Sequence, residues 1–289
     1  MIISASRRTD IPSFYSDWFY NRVKEGFVLT RNPMNFHQVR RVELAPDLVC
    51  GIVFWTKNPG PMVNRLGELQ DYMYYFQYTI TPYGKDIEPN VPHKSTDALR
   101  IFKNLSDIIG PDRVIWRYDP ILINEKYTVD YHLRAFEEMA KELRSHIRKV
   151  IISFIDVGYK AVKRNTGKLS LAEFPVEIKT QLAANLASIA LSYGIAIDAC
   201  ASSLDLQKHE IGRGRCIDSE LLEKLRGYSL NIKKDKNQRS ECGCAASVDI
   251  GMYNTCLSGC LYCYANYIPA TINTNHNKHN WQSEFLINT

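Results

Sequence analysis

Seven of the chain's eight cysteines lie between Cys200 and Cys263, and three of them, Cys256, Cys260 and Cys263, follow a C-x3-C-x2-C spacing. Three thiolates at that spacing can wrap three irons of a cubane cluster from one short loop, whereas a [4Fe–4S] cluster commonly takes four. The fourth iron is then open to an outside ligand. Gly259, inside the loop, lets the backbone curl close to a cluster. Cys50 stands apart in the apolar run 48–55 and reads as a small core residue. The other four, Cys200, Cys216, Cys242 and Cys244, are the number that a second four-thiolate cluster needs. Zinc is the rival metal. It takes four tetrahedral ligands, often from two C-x2-C pairs, and Cys242-x-Cys244 is a poor partner for Cys260 and Cys263. A zinc-stabilised nucleic-acid-binding module is the function that goes with it, supported by the basic segment 233–239.

The elements that must position these cysteines follow a βα rhythm. Short apolar runs at 2–6, 50–56, 73–81, 114–118, 150–155 and 195–200 read as strands. Between them lie amphipathic helical patterns. Ser95 is placed to cap one that carries Leu99, Phe102, Leu105 and Ile109 and stops at Gly110. Thr128 is placed to cap a second, reaching His146, and a third runs from about Glu177 to Tyr193. Residues 27–30 and 38–44 flank Asn32-Pro33-Met34-Asn35 and read as a hairpin. The fold class expected is α/β, a partial or complete (β/α) barrel of about six to eight mostly parallel strands. Residues 1–230 form the barrel, and 231–289 form a cysteine-rich segment and tail packed onto it. Residues 247–253 are expected to lie parallel to 2–6 and to close the barrel. The Asn- and His-rich tail from about Thr271, with His276 and His279, reads as solvated or as a lid.

Strand ends carry the polar chemistry. The first leads into Arg7, Arg8 and Asp10, the second into Lys57, the third ends in Thr79 and Thr81, and the fourth in Arg117 and Asp119. The fifth ends at Asp156 and the sixth at Cys200. In a (β/α) barrel these ends share one rim, which is the active-site face. Arg7, Arg8, Lys57 and Arg117 suit phosphate or carboxylate groups, arginine bidentately. Asp10, Asp119 and Asp156 are candidate acid/base or hydrogen-bonding groups.

Cys256-x3-Cys260-x-Tyr262-Cys263 resembles the radical S-adenosylmethionine motif, in which an aromatic residue precedes the last cysteine. More widely, the chain resembles an uncharacterised bacterial family with such a cluster at its C-terminus, sometimes labelled DNA-repair-photolyase-like. The residues that carry the likeness are 4–12, 54–59, 117–120 and 234–266, the last being the most specific. The resemblance implies a circularly permuted radical-SAM-like barrel holding a [4Fe–4S] cluster and S-adenosylmethionine. It implies a reaction that generates a 5′-deoxyadenosyl radical, supplied with electrons by a reductant such as flavodoxin or ferredoxin. Tyr262 then contacts the adenine, with Asn266 and Ser6 also at the cofactor. The Gly-Gly-Glu-like motif that usually holds the amino group is absent near residues 4–10, where Asp10, Ser4 or Ser6 can stand in. The substrate is expected to be an anionic small molecule or a nucleic acid. An iron–sulfur electron-transfer or redox-sensing protein without SAM cleavage is the alternative.

Composition sets the outer bounds. A chain of 289 residues, 45% hydrophobic and 23% charged, can bury a full core. Its net charge of +5 permits an anionic substrate but is far from a dedicated nucleic-acid-binding composition. Neither a membrane-spanning run nor a signal-peptide pattern is read, so a cytoplasmic location with reduced thiols and no membrane partner is expected.

Overall fold

The computed structural model describes residues 1–288, apart from the side chain of Ser95, so the cap expected there lies outside the described residues. The described residues form ten strands: β1 (Ile2–Ala5), β2 (Phe27–Asn32), β3 (Asn35–Glu43), β4 (Gly51–Thr56), β5 (Tyr74–Thr79), β6 (Val114–Ile121), β7 (Lys149–Phe154), β8 (Ala196–Cys200), β9 (Gly212–Gly214) and β10 (Val248–Asp249). Eight of them make one sheet in the order β10-β1-β4-β5-β6-β7-β8-β9. Every pairing in it is parallel. β2 and β3 form the expected hairpin as a separate antiparallel pair.

As expected, β10 lies parallel to β1, with Ile3 opposite Val248 and Ser4 opposite Asp249. The ring is nevertheless not closed, because the sheet ends at β9 and β10 without a ladder between them. Both terminal strands are short, of three and two residues, and each pairs only on its other side, with β8 and β1. A single backbone bond, Ala245 N–H to Ile217 O at 2.9 Å, links the segments that flank the gap.

Parallel sheets are buried on both faces, and here the two covers differ. Ile3, Ile52, Phe54, Phe76, Trp116 and Ile152 point to the helical side, against Phe102, Phe136, Leu143, Leu182 and Leu186. Those residues belong to helices Leu99–Ile109, Val129–Leu143 and Val176–Ser192. Thr128 caps the second, its hydroxyl accepting the Tyr131 N–H at 3.2 Å, and Gly110 ends the first at φ +91°. Ile2, Val53, Tyr75, Ile115 and Ile151 point the other way, against Cys216, Ile217, Leu222, Cys242 and Cys244. Cysteine-bearing segments, with the short helix Ser219–Arg226 between them, therefore cover the face that the three long helices leave.

The glycine-rich run before Cys216 is the strand β9, where a Cβ on Gly214 would stand 2.9 Å from the Ala199 carbonyl. Two expectations are corrected. The tail is only partly solvated, because its last residues pack onto the core. It forms the helix Pro269–Asn277, sets the His279 ring 4.8 Å from Tyr15, and buries Leu286 and Ile287. The complete barrel is replaced by the open sheet. Among the described residues, no helix is long and apolar enough to cross a membrane.

Candidate functional site

All eight strands of the sheet run the same way, so their C-terminal ends meet at one rim, and β10 delivers the three-cysteine loop to it. Asn254 at φ +58° and Gly259 at φ +69° turn the loop, and Asn254 N–H bonds to Ala265 O at 3.0 Å across its base. The segment after β5 clamps it from one side. Asn90 Nδ2 donates to Leu257 O at 2.8 Å and Leu261 N–H to Ile87 O at 3.0 Å. Asn266, expected at the cofactor, donates to Cys256 O at 2.7 Å and so ties the loop to its own exit. Cys256, Cys260 and Cys263 are half-buried and act on one another through charge. Burial raises all three thiols, Cys256 to about 12, while the Lys57 charge pulls Cys260 and Cys263 back down.

Beneath the loop is a buried charge hub that the sequence did not reveal. Glu88 is fully buried and accepts from Lys57 Nζ and Thr81 Oγ1, each at 2.7 Å, and from Lys94 and the Tyr262 hydroxyl. Burial alone would raise its carboxyl, but the two lysines outweigh that and hold it at about 2. Tyr262 is thus anchored by its hydroxyl, with its ring 5.4 Å from Lys57 Nζ and 5.9 Å from Tyr83. Nothing in the local pattern marks Glu88, since it follows β5 in an irregular stretch.

A second unforeseen carboxylate orders the β1 end. Asp249 accepts from Ser4 Oγ at 2.9 Å, Ser6 Oγ at 2.6 Å and Arg7 N–H at 2.8 Å. Gly251 is required there, because a Cβ would lie 2.1 Å from Ser6 Oγ. Asp10 accepts the Ser13 N–H at 3.0 Å and the Lys57 N–H at 2.7 Å, capping one helix while tying β1 to β4. Burial pushes its carboxyl up to about 6 against those bonds.

The expected cations separate. Lys57 belongs to the Glu88 hub. Arg117 grips Asp119, which also accepts from Ser153, and donates Nη1–H to Cys216 Sγ at 2.9 Å. Arg7 stands close enough to Cys244 and Cys216 to feel their charge, with only a 4.0 Å contact to Asp249. Arg8 lies over the Tyr253 ring and lines a different cavity with Leu29, Phe36 and Tyr267. Asp156 bonds to exposed Arg239 on the surface.

The four remaining cysteines do converge. Cys200 and Cys216 Sγ are 3.2 Å apart, Cys216 also bonds to Cys244, and Cys244 to Cys242. The bond from Cys216 lowers Cys200 to about 7, and its bonds to Cys200 and Cys244 raise Cys216 itself. Tyr75 and Gln77 of β5 both donate to the Cys216 carbonyl, at 2.7 and 3.0 Å. Among the described residues, no three His, Cys, Asp or Glu side chains stand as a formed metal-ion site.

The three-cysteine loop nonetheless suits an iron–sulfur cluster in its donors and surroundings. Its soft thiols share one half-buried turn, a lysine charge opposes their own, and Asn266 Oδ1 and Thr9 Oγ1 are buried without hydrogen-bond partners. No curated protein matches the chain. A family model described as a domain of unknown function, DUF1848, matches residues 2–265, from β1 through the three-cysteine loop, and the chain belongs to that family.

Proposed function

We propose that the chain is an iron–sulfur enzyme of the radical S-adenosylmethionine type, acting on an anionic substrate in the reducing cytoplasm. The observation that carries this reading is the delivery of Cys256, Cys260 and Cys263 by one loop to the C-terminal rim of a parallel sheet, beside Lys57. An open parallel sheet with its polar groups at that rim is also what a partial radical-SAM-like barrel requires. When bound, a [4Fe–4S] cluster supplies one-electron reduction, and with S-adenosylmethionine it gives access to the 5′-deoxyadenosyl radical.

The chain's own residues hold and shield. Cys256, Cys260 and Cys263 are the ligands, while Asn266 and the 84–91 segment fix the loop. Glu88 holds the Lys57 charge against the thiolates. Unpartnered Asn266 Oδ1 and Thr9 Oγ1 offer acceptors for an amino or hydroxyl group of the cofactor. For the anionic substrate, Arg7 is a rim cation whose side chain is held only loosely, 4.0 Å from Asp249, a contact that Arg8 shares.

Anaerobic reconstitution with iron and sulfide tests the reading. About four irons per chain should bind through the loop, disappear in the Cys256/Cys260/Cys263→Ala variant, and support formation of 5′-deoxyadenosine under a strong reductant. Iron uptake without cleavage selects the electron-transfer alternative. Zinc held tightly by the loop, with no iron uptake, overturns both.

A further inference from the structure

Beside the core residue Cys50, four cysteines outside the loop have no role in that proposal, and their arrangement differs in kind. They come from three separated segments: Cys200 ends β8, Cys216 follows β9, and Cys242 and Cys244 precede β10. These segments flank the gap where the sheet fails to close. Their thiols touch in series, Cys200 to Cys216 to Cys244 to Cys242. Two thiolates on one tetrahedral zinc stand about 3.8 Å apart, given zinc–sulfur bonds near 2.3 Å. Ligands at the corners of a [4Fe–4S] cube are separated by about 6 to 7 Å. The 3.2 Å between Cys200 and Cys216 is therefore within a small side-chain rotation of the first spacing and far from the second.

The surroundings match metal-bound sulfur. Arg117 Nη1–H points at Cys216 Sγ at 2.9 Å, and Ile217 N–H points at Cys244 Sγ at 3.5 Å. Such N–H···S bonds orient ligands and ease the charge on thiolates. Tyr75 and Gln77 fix the Cys216 backbone from the sheet, so this ligand is held by the core rather than by a loose loop. Cys216, Cys242 and Cys244 are buried, which shields a metal from exchange.

We propose that Cys200, Cys216, Cys242 and Cys244 form a tetrathiolate site for a single zinc ion, which joins the β8–β9 edge to the segment leading into β10. The ion takes the place of the absent strand ladder, where the protein itself provides one backbone bond. A site of this kind adds its binding energy to folding. It is separate from the three-cysteine loop and does not depend on what that loop binds.

Metal analysis of the full chain carrying Cys256/Cys260/Cys263→Ala tests this directly. Grown with zinc and purified without oxygen, it should retain about one zinc per chain. Replacing that zinc with cobalt should give the intense visible absorption of a tetrahedral cobalt tetrathiolate. Cys242→Ala should lower zinc retention at least tenfold, and Cys50→Ala should leave it unchanged. Because a cysteine variant can fail by misfolding, the cobalt spectrum of the otherwise intact chain serves as the second readout. Iron with stoichiometric sulfide at these four cysteines, a Cys200–Cys216 disulfide in the anaerobic protein, or four freely titrating thiols with no zinc would each overturn the proposal.

Discussion

The two cysteine regions of this protein are built on opposite plans. Cys256, Cys260 and Cys263 sit within one turn of chain, their thiols act on one another through charge, and a buried Glu88–Lys57–Lys94 hub supports them from outside. Cys200, Cys216, Cys242 and Cys244 are scattered along the chain and are in sulfur contact only because the sheet brings three segments together. The first region is a local motif presented by the fold. The second is a product of the fold, and it lies where the sheet is weakest. Local spacing therefore marks the first kind of site, while the second exists only once the topology is complete.

This contrast can be broken most forcefully at Glu88. Glu88→Ala leaves Lys57 and Lys94 buried without their counter-charge, and removing one partner of such a pair costs about 3–5 kcal/mol. Urea unfolding should show that loss, and the loop cysteines should react faster with a thiol reagent while the four-cysteine set keeps its rate. Equal acceleration of both sets would mean that the regions are not independent.

Acid should act on the loop side through His132. Its ring is buried, with Nδ1 2.7 Å from the Tyr118 hydroxyl and Nε2 2.9 Å from Leu122 O, and it lies edge-on to Tyr83, which packs on Tyr262. Burial lowers its pKa from 6.5 to about 4, so the unfolded chain takes up the proton first. The stability from neutral His132 is complete above pH 6.5 and is lost as pH falls towards 4, roughly 3 kcal/mol in all. Asp10, raised to about 6, works in the opposite sense: its contribution is present at low pH and is lost as pH rises through 6. Comparison with His132→Gln isolates the histidine, because that variant should gain stability relative to the parent as pH falls from 6.5 to 4.5. Parallel curves for the two proteins would refute the assignment.

A smaller effect should be confined to the other region. Gly214→Ala forces a Cβ to 2.9 Å from the Ala199 carbonyl and pushes β9 from β8, costing about 1–3 kcal/mol. Zinc retention by the four cysteines should fall, while iron uptake by the loop should not. Smallest of all is Arg8→Ala, which removes a contact over Tyr253 worth about 0.5–1 kcal/mol and should leave both metals in place. Loss of iron uptake in that variant would return Arg8 to the site.

Much of the fold was legible because alternation and caps are local signals. Six strand cores, three helices and the β2–β3 hairpin follow from apolar spacing, Thr128 and Gly110. The pairing of β10 with β1 was legible too, since one free sheet edge and one late strand leave few partners. What escaped was set by distant contacts. β9 is a strand because Gly212 and Gly214 allow close approach to β8, although the same glycines in isolation signal flexibility. The tail packs because Tyr15 receives His279 across the chain. Glu88 and Asp249 became central because three or more donors converge on each, and distant partners such as Lys57, Tyr262, Ser4 and Arg7 complete each set. Arg8 differs from Arg7 only in the direction its side chain leaves the backbone, which a run of two arginines does not encode.

The pairing of β1 with β10 also governs how the molecule is made. Ser4 and Asp249, joined at 2.9 Å, are 245 residues apart in the chain. At ribosomal speeds of about 5–20 residues per second, β1 waits roughly ten to fifty seconds for that neighbour. Meanwhile β4 can fill one side of β1, but the other remains an unpaired edge on a growing sheet. The strand that ends this exposure is followed at once by Cys256, so a nascent chain cannot present its three-cysteine loop until the sheet is ready to receive it. Chains that stall before β10 keep an unpaired edge and lack the loop, which exposes them to chaperones and proteases.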